Sequence, residues 1–520
     1  MKKITILLIA IAALGAGCKR FIDINQNLNQ PLTVTPNVVL SAALAGSAAD
    51  QAGTFLNSAR WMGYWSRSGN YIADVPTETY NISTTYEDGD FQGIYNTLGR
   101  YAYIEKTGFA NKTSLQFYLG VAKTMKAFHF AELVDGFGNV PYKQAFQINT
   151  TTTPAYDDAK GIYADLITQL DSAFVYFELA KTYYAATTTT ASVITTDDKY
   201  DIMFGRGLGQ ASGTAAQARM SLWETFANTV KLKLLIHESN VLDAATIKAE
   251  LAKTASYGYI QAGASASVNP GYSSSSVAQY NPFWGIFYTS SGQSNTYAFL
   301  RCNQYSVNFL NNTNDQTVRE DLFYAAAGSA VVGNYDGDPQ AASNSTTAGL
   351  GTGILKGASQ DQLIISDFES LFLQAEATQK GLITGGSTAA ALVRTAVEQN
   401  YIYLGDSAGD ADTYLDSNTG NKLVDVNTGG LQAIMTQKWA ADNGINWYES
   451  YIDFRRTGYP AEDGVNFGVT HAPNPIKHNG VPTIPYRFLY PQSEINSNGK
   501  NVPSLPAAQY TPIFWDTLDK

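Results

Sequence analysis

Aromatic side chains in a loop-rich region are the residues of this sequence best placed to bind a ligand. From about residue 261 to 357, Ser, Gly and Asn dominate and few stretches have helical periodicity. Within this region, residues 280–288 read YNPFWGIFY, with a tryptophan and two phenylalanines among proline, glycine and tyrosine. Such rings can offer flat faces to a ligand or pack as a plug that closes a helical core. The sequence leaves both roles open.

The composition favours an uncharged ligand. The 520 residues include 33 Tyr and 7 Trp, and only 15% are charged, with a formal net charge of −11. An acidic chain repels phosphate backbones, which argues against nucleic acid, and 44% hydrophobic residues are too many for a disordered chain. A neutral polar surface studded with rings suits sugars. The same composition is also typical of the solvated surface of a secreted bacterial protein.

Motifs of catalysis are missing from the sequence. It has no Gly-x-Ser-x-Gly, His-Glu-x-x-His or phosphate-loop pattern, and no context singles out a carboxylate pair for glycoside hydrolysis. The acidic runs could suggest calcium, but none has the spacing of an EF-hand, so we interpret them as solvated turns. We therefore predict a binding protein without a cofactor. These runs are Asp88-Gly89-Asp90, Asp336-Gly337-Asp338, and Asp406, Asp410 and Asp412.

The N-terminal residues predict a lipid anchor. Lys2-Lys3 precede a short apolar run over residues 4–14, and small residues lead into Cys18. This pattern resembles a secretory signal that ends in a bacterial lipobox, so we expect residues 1–17 to be removed and Cys18 to be lipidated. Residues 18–36 would then be a tether. Cys302 has no remaining partner and is predicted to be a small buried residue.

Apolar periodicity predicts paired antiparallel helices around the loop-rich region. We expect helical repeats over about residues 37–255 and 360–445, and a loop-rich C-terminal segment over about 446–520. Residues 71–86 and the Thr-rich residues 185–198 are predicted loops. Asn37 is the expected N-cap of the first helix. The predicted helices cover residues 37–62, 91–108, 115–135, 159–180, 222–241, 363–382, 389–401 and 431–441.

Several motifs follow one another in an order that resembles the SusD/RagB family of nutrient-binding outer-membrane lipoproteins of Bacteroidetes. The helix over residues 114–142 carries AKTMKAFHFAELVDGFGNVPY, which resembles the hallmark helix of that family. Further resemblances are DINQNLNQP from Asp23, NDQTVR from Asn314, FLQAEA from Phe372, WYESYIDFRRTGYP from Trp447 and IPYRFLYPQSE from Ile484.

The resemblance implies a mostly α-helical fold, in which tetratricopeptide-like hairpins pack on a loop-rich ligand-binding region. It also implies a lipid-anchored outer-membrane protein, facing the cell surface, that captures oligosaccharides and hands them to a SusC-like TonB-dependent transporter. Some family members capture peptides or other nutrients. Peptide capture, or a role mainly as a scaffold or lid for the transporter, therefore remains an alternative.

The resemblance also suggests which residues bind the ligand. In the family the rings come from the loops after the first helix and from the middle insertion. Arg455-Arg456 could pass for an anion clamp, but we expect this pair to tie a helix end to carboxylates, and we expect His237 to be a packing residue. Trp61, Tyr64 and Trp65 have helical spacing that favours core packing. The matching ring positions are Trp65, Tyr71, Tyr80, Trp284 and Tyr288, and the polar candidates are Arg67, Asn70, Asn281 and Gln293.

Overall fold

The computed structural model describes residues 34–111, 115–186, 200–205, 213–316, 318–460 and 484–518. The predicted signal, the lipidated Cys18 and most of the tether and Thr-rich loop lie outside these ranges. None of the described helices combines the length and the apolar character that crossing a bilayer requires.

Helices that pack against their neighbours in sequence form most of the molecule, as the periodicity predicts. The first set runs from Pro36 to Thr254 and the second from Asp367 to Thr457. The longer helices are Pro36–Gly53, Asp88–Asn111, Gln116–Phe137, Ala159–Ala186, Gly213–His237, Ala244–Thr254, Asp367–Gln379, Ala389–Leu404, Ala408–Ser417, Leu431–Ala441 and Trp447–Thr457. The short ones are Ser58–Trp61, Val75–Thr79, Pro282–Phe287, Asn295–Phe299, Gln304–Asn312, Arg319–Phe323, Val426–Gly429 and Gln492–Asn498.

The helix Gln116–Phe137 is buried along nearly its whole length, because it packs between Asp88–Asn111 and Ala159–Ala186. Gly120 permits this close approach, since a Cβ there would lie 2.6 Å from the Phe177 ring. The helix ends at Gly138, which has a φ of +74° and would clash with Arg487 if it carried a side chain. The predicted buried helix is therefore confirmed.

Short antiparallel strand pairs hold the irregular regions together. Trp65–Arg67 pairs with Leu300–Cys302, which joins the segment after the first helices to the middle region. The other pairs are Ala266–Val268 with Gln362–Ile365, Val140–Pro141 with Tyr156–Asp157, Tyr288–Thr289 with Gly292–Gln293, and Tyr324–Ala325 with Gly349–Leu350.

Several boundaries differ from the prediction. The helix expected from residue 363 begins only at Asp367, because Gln362–Ile365 is a strand and Ser366 caps the helix. The predicted loop at 71–86 contains Val75–Thr79, and the predicted loop-rich C-terminal segment begins with the helix Trp447–Thr457. The N-cap of the first helix is Thr35, not Asn37, since Pro36 fits its first turn.

Residues of the sequence motifs meet in the core as ion pairs. Arg456 donates to Glu376 through both guanidinium nitrogens, at 2.5 and 2.7 Å, and to Asp453 at 2.6 Å. All three are buried. The expectation that the pair Arg455-Arg456 ties a helix end to carboxylates is confirmed for Arg456, while Arg455 donates to the backbone carbonyl of Tyr486 at 2.7 Å. His237 is also buried, between Asp135 and Glu449, as expected of a packing residue. Cys302 is free and buried, as predicted.

Candidate functional site

The short helix Pro282–Phe287 presents the aromatic stretch to the rest of the protein. Asn281 caps it: its Oδ1 accepts from the backbone N–H of Trp284 at 2.9 Å, while its Nδ2 donates to the Gln360 carbonyl at 3.1 Å. Asn281 is fully buried. It therefore orients the helix and has no surface for a ligand, which corrects the prediction that it contacts one.

This helix divides its rings between two faces. Phe283 and Phe287 are buried, and their rings lie 6.0 Å from those of Trp447 and Trp65 respectively. Trp284 and Tyr288 are only half-buried. The sequence left open whether these rings bind a ligand or close the core. In the structure one pair of rings closes the core and the other pair lies at the surface.

Trp284 and Tyr288 stack on each other, with ring centroids 3.9 Å apart and planes within 4°. Tyr288 pairs in register with the exposed Gln293 across a hairpin. Gly292, which follows the turn and pairs with Thr289, has a φ of +112°. We call Trp284, Tyr288 and Gln293 the aromatic surface. The buried Tyr297 backs it, with its ring centroid 5.7 Å from that of Tyr288.

We call residues 68–74, between the strand Trp65–Arg67 and the helix Val75–Thr79, the first loop. Strand pairing brings part of this loop beside the aromatic surface. The backbone N–H of Ser68 donates to the Phe299 carbonyl at 2.8 Å, and the half-buried Tyr71 packs edge-on against the Phe299 ring at 5.4 Å. Asn70 is exposed, and its Oδ1 accepts from the backbone N–H of Asn344 at 2.8 Å. Tyr71 and Asn70 therefore lie on the loop that flanks the helix Asn295–Phe299, which also carries Tyr297.

Three other predicted ligand residues are buried instead. Trp65 is 0% exposed and packs between Phe287 and Trp447, as its helical spacing from Trp61 already suggested. Because it has no accessible face, it cannot stack on a ligand in this conformation.

Tyr80 packs edge-on against Trp61, at 6.1 Å between ring centroids, and Arg67 donates to Glu78 at 2.7 Å and to the Tyr71 carbonyl at 2.7 Å. Both side chains are buried. Because Tyr80 is covered by Trp61 and the guanidinium of Arg67 is occupied by Glu78 and the Tyr71 carbonyl, this conformation argues against their predicted contact with a ligand. Arg67 instead fixes the backbone of Tyr71.

A buried network of charges holds the first loop in place. Arg60 pairs with Asp74 at 2.6 Å, Asp336 at 2.7 Å and Glu78 at 3.1 Å. Burial raises the pKa of Asp336 to about 6 even though Arg60 opposes the shift. Asp336 is thus part of an ion-pair network and not the solvated acidic turn that we predicted.

The remaining acidic runs also form ordinary contacts. Asp90 accepts from the backbone N–H of Phe55 at 2.6 Å, and Asp412 pairs with Arg394 on the surface of neighbouring helices. Asp410 and Asp412 lie on the helix Ala408–Ser417, not in a turn. In the part of the chain that the structure describes, no three His, Cys, Asp or Glu side chains gather as metal ligands.

Sequence reasoning missed Tyr297, Phe299 and Arg301. All three belong to the segment between residues 295 and 302, which had no helical period and no motif. Their position depends on the pairing of Leu300–Cys302 with Trp65–Arg67, which are more than 230 residues apart in the chain. The only available signal was the clustering of aromatic residues in a Ser-, Gly- and Asn-rich region.

Comparison with known proteins points to one family. A model of the SusD-like family, described as starch-binding and associating with the outer membrane, matches residues 28–491. No curated protein sequence is significantly similar to the chain.

Several solved structures share the fold. A SusD/RagB family protein from Bacteroides thetaiotaomicron superposes with a TM-score of 0.70 at 19% identity, over 94% of this chain and 100% of its own. A chitin-binding SusD homolog from Flavobacterium johnsoniae gives 0.69 at 19% identity, over 92% and 98%. A SusD homolog from Bacteroides uniformis gives 0.66 at 19% identity, over 92% and 99%.

Proposed function

This chain belongs to the SusD/RagB family, and we propose that it is a glycan-binding protein that captures its ligand at the aromatic surface of Trp284, Tyr288 and Gln293. The stacked pair of Trp284 and Tyr288 is the observation that carries this proposal. Two parallel rings, 3.9 Å apart and half-buried, are held by a capped helix and need no rearrangement to meet a ligand. Such preorganisation lowers the entropic cost of binding.

The chemistry of the aromatic surface fits a sugar. The apolar C–H face of a pyranose packs on an aromatic ring, and its hydroxyls need donors and acceptors at the rim. Gln293 is exposed beside Tyr288 and supplies both from one side chain. On the neighbouring loop, the Oδ1 of Asn70 accepts hydrogen bonds from the Asn344 backbone N–H and the Ser68 hydroxyl. The Nδ2 of Asn70 remains available to donate to a ligand.

Two comparisons support the proposal of glycan binding at the outer membrane. The matched family is described as associating with that membrane, and a solved relative of the same fold is named as chitin-binding. We propose that the protein is anchored through Cys18 at the cell surface and passes its ligand to a SusC-like TonB-dependent transporter. It acts by binding and not by catalysis.

Native gel electrophoresis with immobilised polysaccharides tests the proposal. The chain without residues 1–18 would be run in gels cast with a panel of neutral and acidic glycans. We expect at least one glycan to retard it, and Trp284→Ala to abolish the retardation. Tyr103→Ala serves as the control, because Tyr103 is an exposed ring on the helix Asp88–Asn111. Retardation that survives Trp284→Ala would contradict the location, and the absence of any retardation would contradict glycan binding.

A further inference from the structure

Arg301 lies beneath the surface between the two sets of candidate binding residues. It belongs to the strand Leu300–Cys302, and its guanidinium carbon lies 5.2 Å from the centroid of the Tyr297 ring. Tyr297 in turn backs Tyr288. On the other side, Tyr71 packs against the ring of Phe299, two residues before Arg301 in the chain. The arginine thus stands between the aromatic surface and the first loop.

The guanidinium of Arg301 is buried and pairs with no carboxylate of the described residues. The residue is 5% exposed, its Nη2 donates to the Tyr297 carbonyl, and its Nε has no hydrogen-bond partner among the described residues. Gly349 lies over it, so closely that a Cβ there would be 3.1 Å from Nη1. Burial lowers the pKa of Arg301, which means that its charge is held at a cost.

Three other buried arginines pair closely with carboxylates, whereas Arg487 is like Arg301: burial lowers its pKa, and its Nη2 has no hydrogen-bond partner among the described residues. Arg60, Arg319 and Arg456 each pair with at least one Asp or Glu at 2.7 Å or less. The chain has 45 Asp and Glu against 34 Lys and Arg, so acidic side chains are plentiful. A buried cation that lacks an internal partner is stabilised when a ligand brings one.

We propose that Arg301 is a specificity residue that binds a carboxylate of the ligand, so that the preferred glycan carries acidic sugar residues such as uronic acids. This inference rests on the proposed function, since the sugar ring that carries the carboxylate stacks on the aromatic surface. The carboxylate enters between Tyr71 and Tyr297 and accepts hydrogen bonds from the guanidinium. This proposal differs from the expectation from composition that the ligand is uncharged.

The decisive experiment changes the ligand and leaves the protein intact. Gels would contain polygalacturonate, alginate or hyaluronate, each beside its carboxyl-reduced form, in which every uronic acid has become the neutral sugar. We expect at least one acidic polymer to retard the chain lacking residues 1–18, with an affinity at least about tenfold higher than for the reduced polymer. High salt should weaken the acidic interaction more than the neutral one.

Protein variants then assign the effect to Arg301. Arg301→Met should bind the acidic and reduced polymers equally. Arg394→Met is the matched control, because it removes an exposed arginine from the helix Ala389–Leu404 and should keep the preference. If Arg301→Met fails to fold, Arg301→Gln replaces it in the same comparison, and equal binding of both polymers by the unchanged protein would still overturn the inference.

The possible results separate the inference from the proposed function. Equal binding of acidic and reduced polymers, or binding of neutral or sulfated glycans only, would overturn the role of Arg301 and leave glycan capture standing. A protein that binds no glycan at all would overturn both. An acid preference that Arg301→Met retains would place the recognition of the carboxylate on another residue and overturn the assignment.

Discussion

The indole ring of Trp284 lies parallel to the phenol ring of Tyr288, with centroids 3.9 Å apart, at the surface of a helix whose neighbouring rings are buried. Residues four apart on a helix face the same side, so Phe283 pairs with Phe287, whereas Tyr288 begins the strand that follows and lays its ring on Trp284. One turn of helix therefore both closes the core and builds the candidate binding surface. Adjacent residues in the sequence have different roles.

Phe283→Ala and Trp284→Ala should separate these roles in a stability measurement. Phe283 is buried, and truncation of a buried phenylalanine costs about 3–5 kcal/mol through lost burial and a cavity. Trp284 is half-buried and should lose about 2–3 kcal/mol, since its stacking on Tyr288 adds about 0.5–1.5 kcal/mol to the burial of part of its ring. Urea unfolding followed by circular dichroism measures both. A larger loss for Trp284→Ala would mean that Trp284 serves the core.

Gly69→Ala should displace the first loop. A Cβ at Gly69 would lie 1.8 Å from the carbonyl oxygen of Ala341, so the loop with Asn70 and Tyr71 must move away from the segment it packs on. We expect a lower thermal midpoint and weaker glycan retention.

Gly89→Ala is the matched control for this substitution. It is also exposed, but it lies in the first turn of the helix Asp88–Asn111, and its Cβ would meet no atom within 4 Å. Alanine favours a helix over glycine, so stability should stay the same or rise slightly. Equal behaviour of the two variants would mean that the contact between the first loop and Ala341 is unimportant.

His237 should make stability depend on pH. Burial alone would lower the pKa of His237, but Glu449 and Asp135 outweigh it and raise that pKa to about 8 from an ordinary 6.5. A raised pKa favours the folded state below pH 6.5, and this stabilisation is lost as the pH rises through 8. The difference between the pKa of about 8 in the folded state and 6.5 in the unfolded state corresponds to about 2 kcal/mol of stability.

The free energy of unfolding of the wild type and of His237→Gln, measured from pH 6 to 9, isolates this effect. Buried groups that His237 does not influence, such as Glu224 with a pKa raised by burial to about 7, contribute to both curves and cancel in the difference. The advantage of the wild type should shrink towards pH 9. A constant difference would mean that His237 is neutral in the folded protein.

Glu376→Gln should break the pair that joins two of the sequence motifs. Burial opposes ionisation of Glu376, but Arg456 and Lys380 prevail and lower its pKa to about 2. The substitution leaves Arg456 buried beside a neutral amide, at a cost of about 3–5 kcal/mol in urea unfolding. Asp416→Asn, which breaks an exposed pair with Arg394, should cost less than about 1 kcal/mol. In acid, the contribution of Glu376 should persist above pH 4.5 and disappear as the pH falls towards 2. Similar costs for the two variants would contradict this difference.

Periodicity predicted the long helices well because their buried faces repeat every three to four residues. The helix Gln116–Phe137 is an exception, because it is buried on nearly all sides, and there the long apolar run and the glycine at its end predicted the helix. The periodicity predicts helix where the strand Gln362–Ile365 lies. A short apolar run fits a helix and a strand equally well until its partner strand, Ala266–Val268, is known. Four-residue strands carry too little pattern to be recognised alone.

The candidate site was predicted only in part for the same reason. Trp284 and Tyr288 could be chosen from their setting among loop residues, and both lie at the surface. The family resemblance predicted Trp65 as a ligand residue because of its position after the first helix. Its helical spacing favoured the core instead, and the structure places it there. Arg301 was missed, because its importance depends on the lack of a carboxylate partner, and no sequence pattern reveals that.

Calorimetric titration of a retained glycan into the wild type, Trp284→Ala, Trp284→Phe and Tyr103→Ala tests the central proposal most directly. We predict at least about a tenfold loss of affinity for Trp284→Ala, partial recovery for Trp284→Phe because a smaller ring still stacks on Tyr288, and no change for Tyr103→Ala. An affinity of Trp284→Ala equal to that of the wild type would show that the glycan binds elsewhere and that the stacked pair serves only packing.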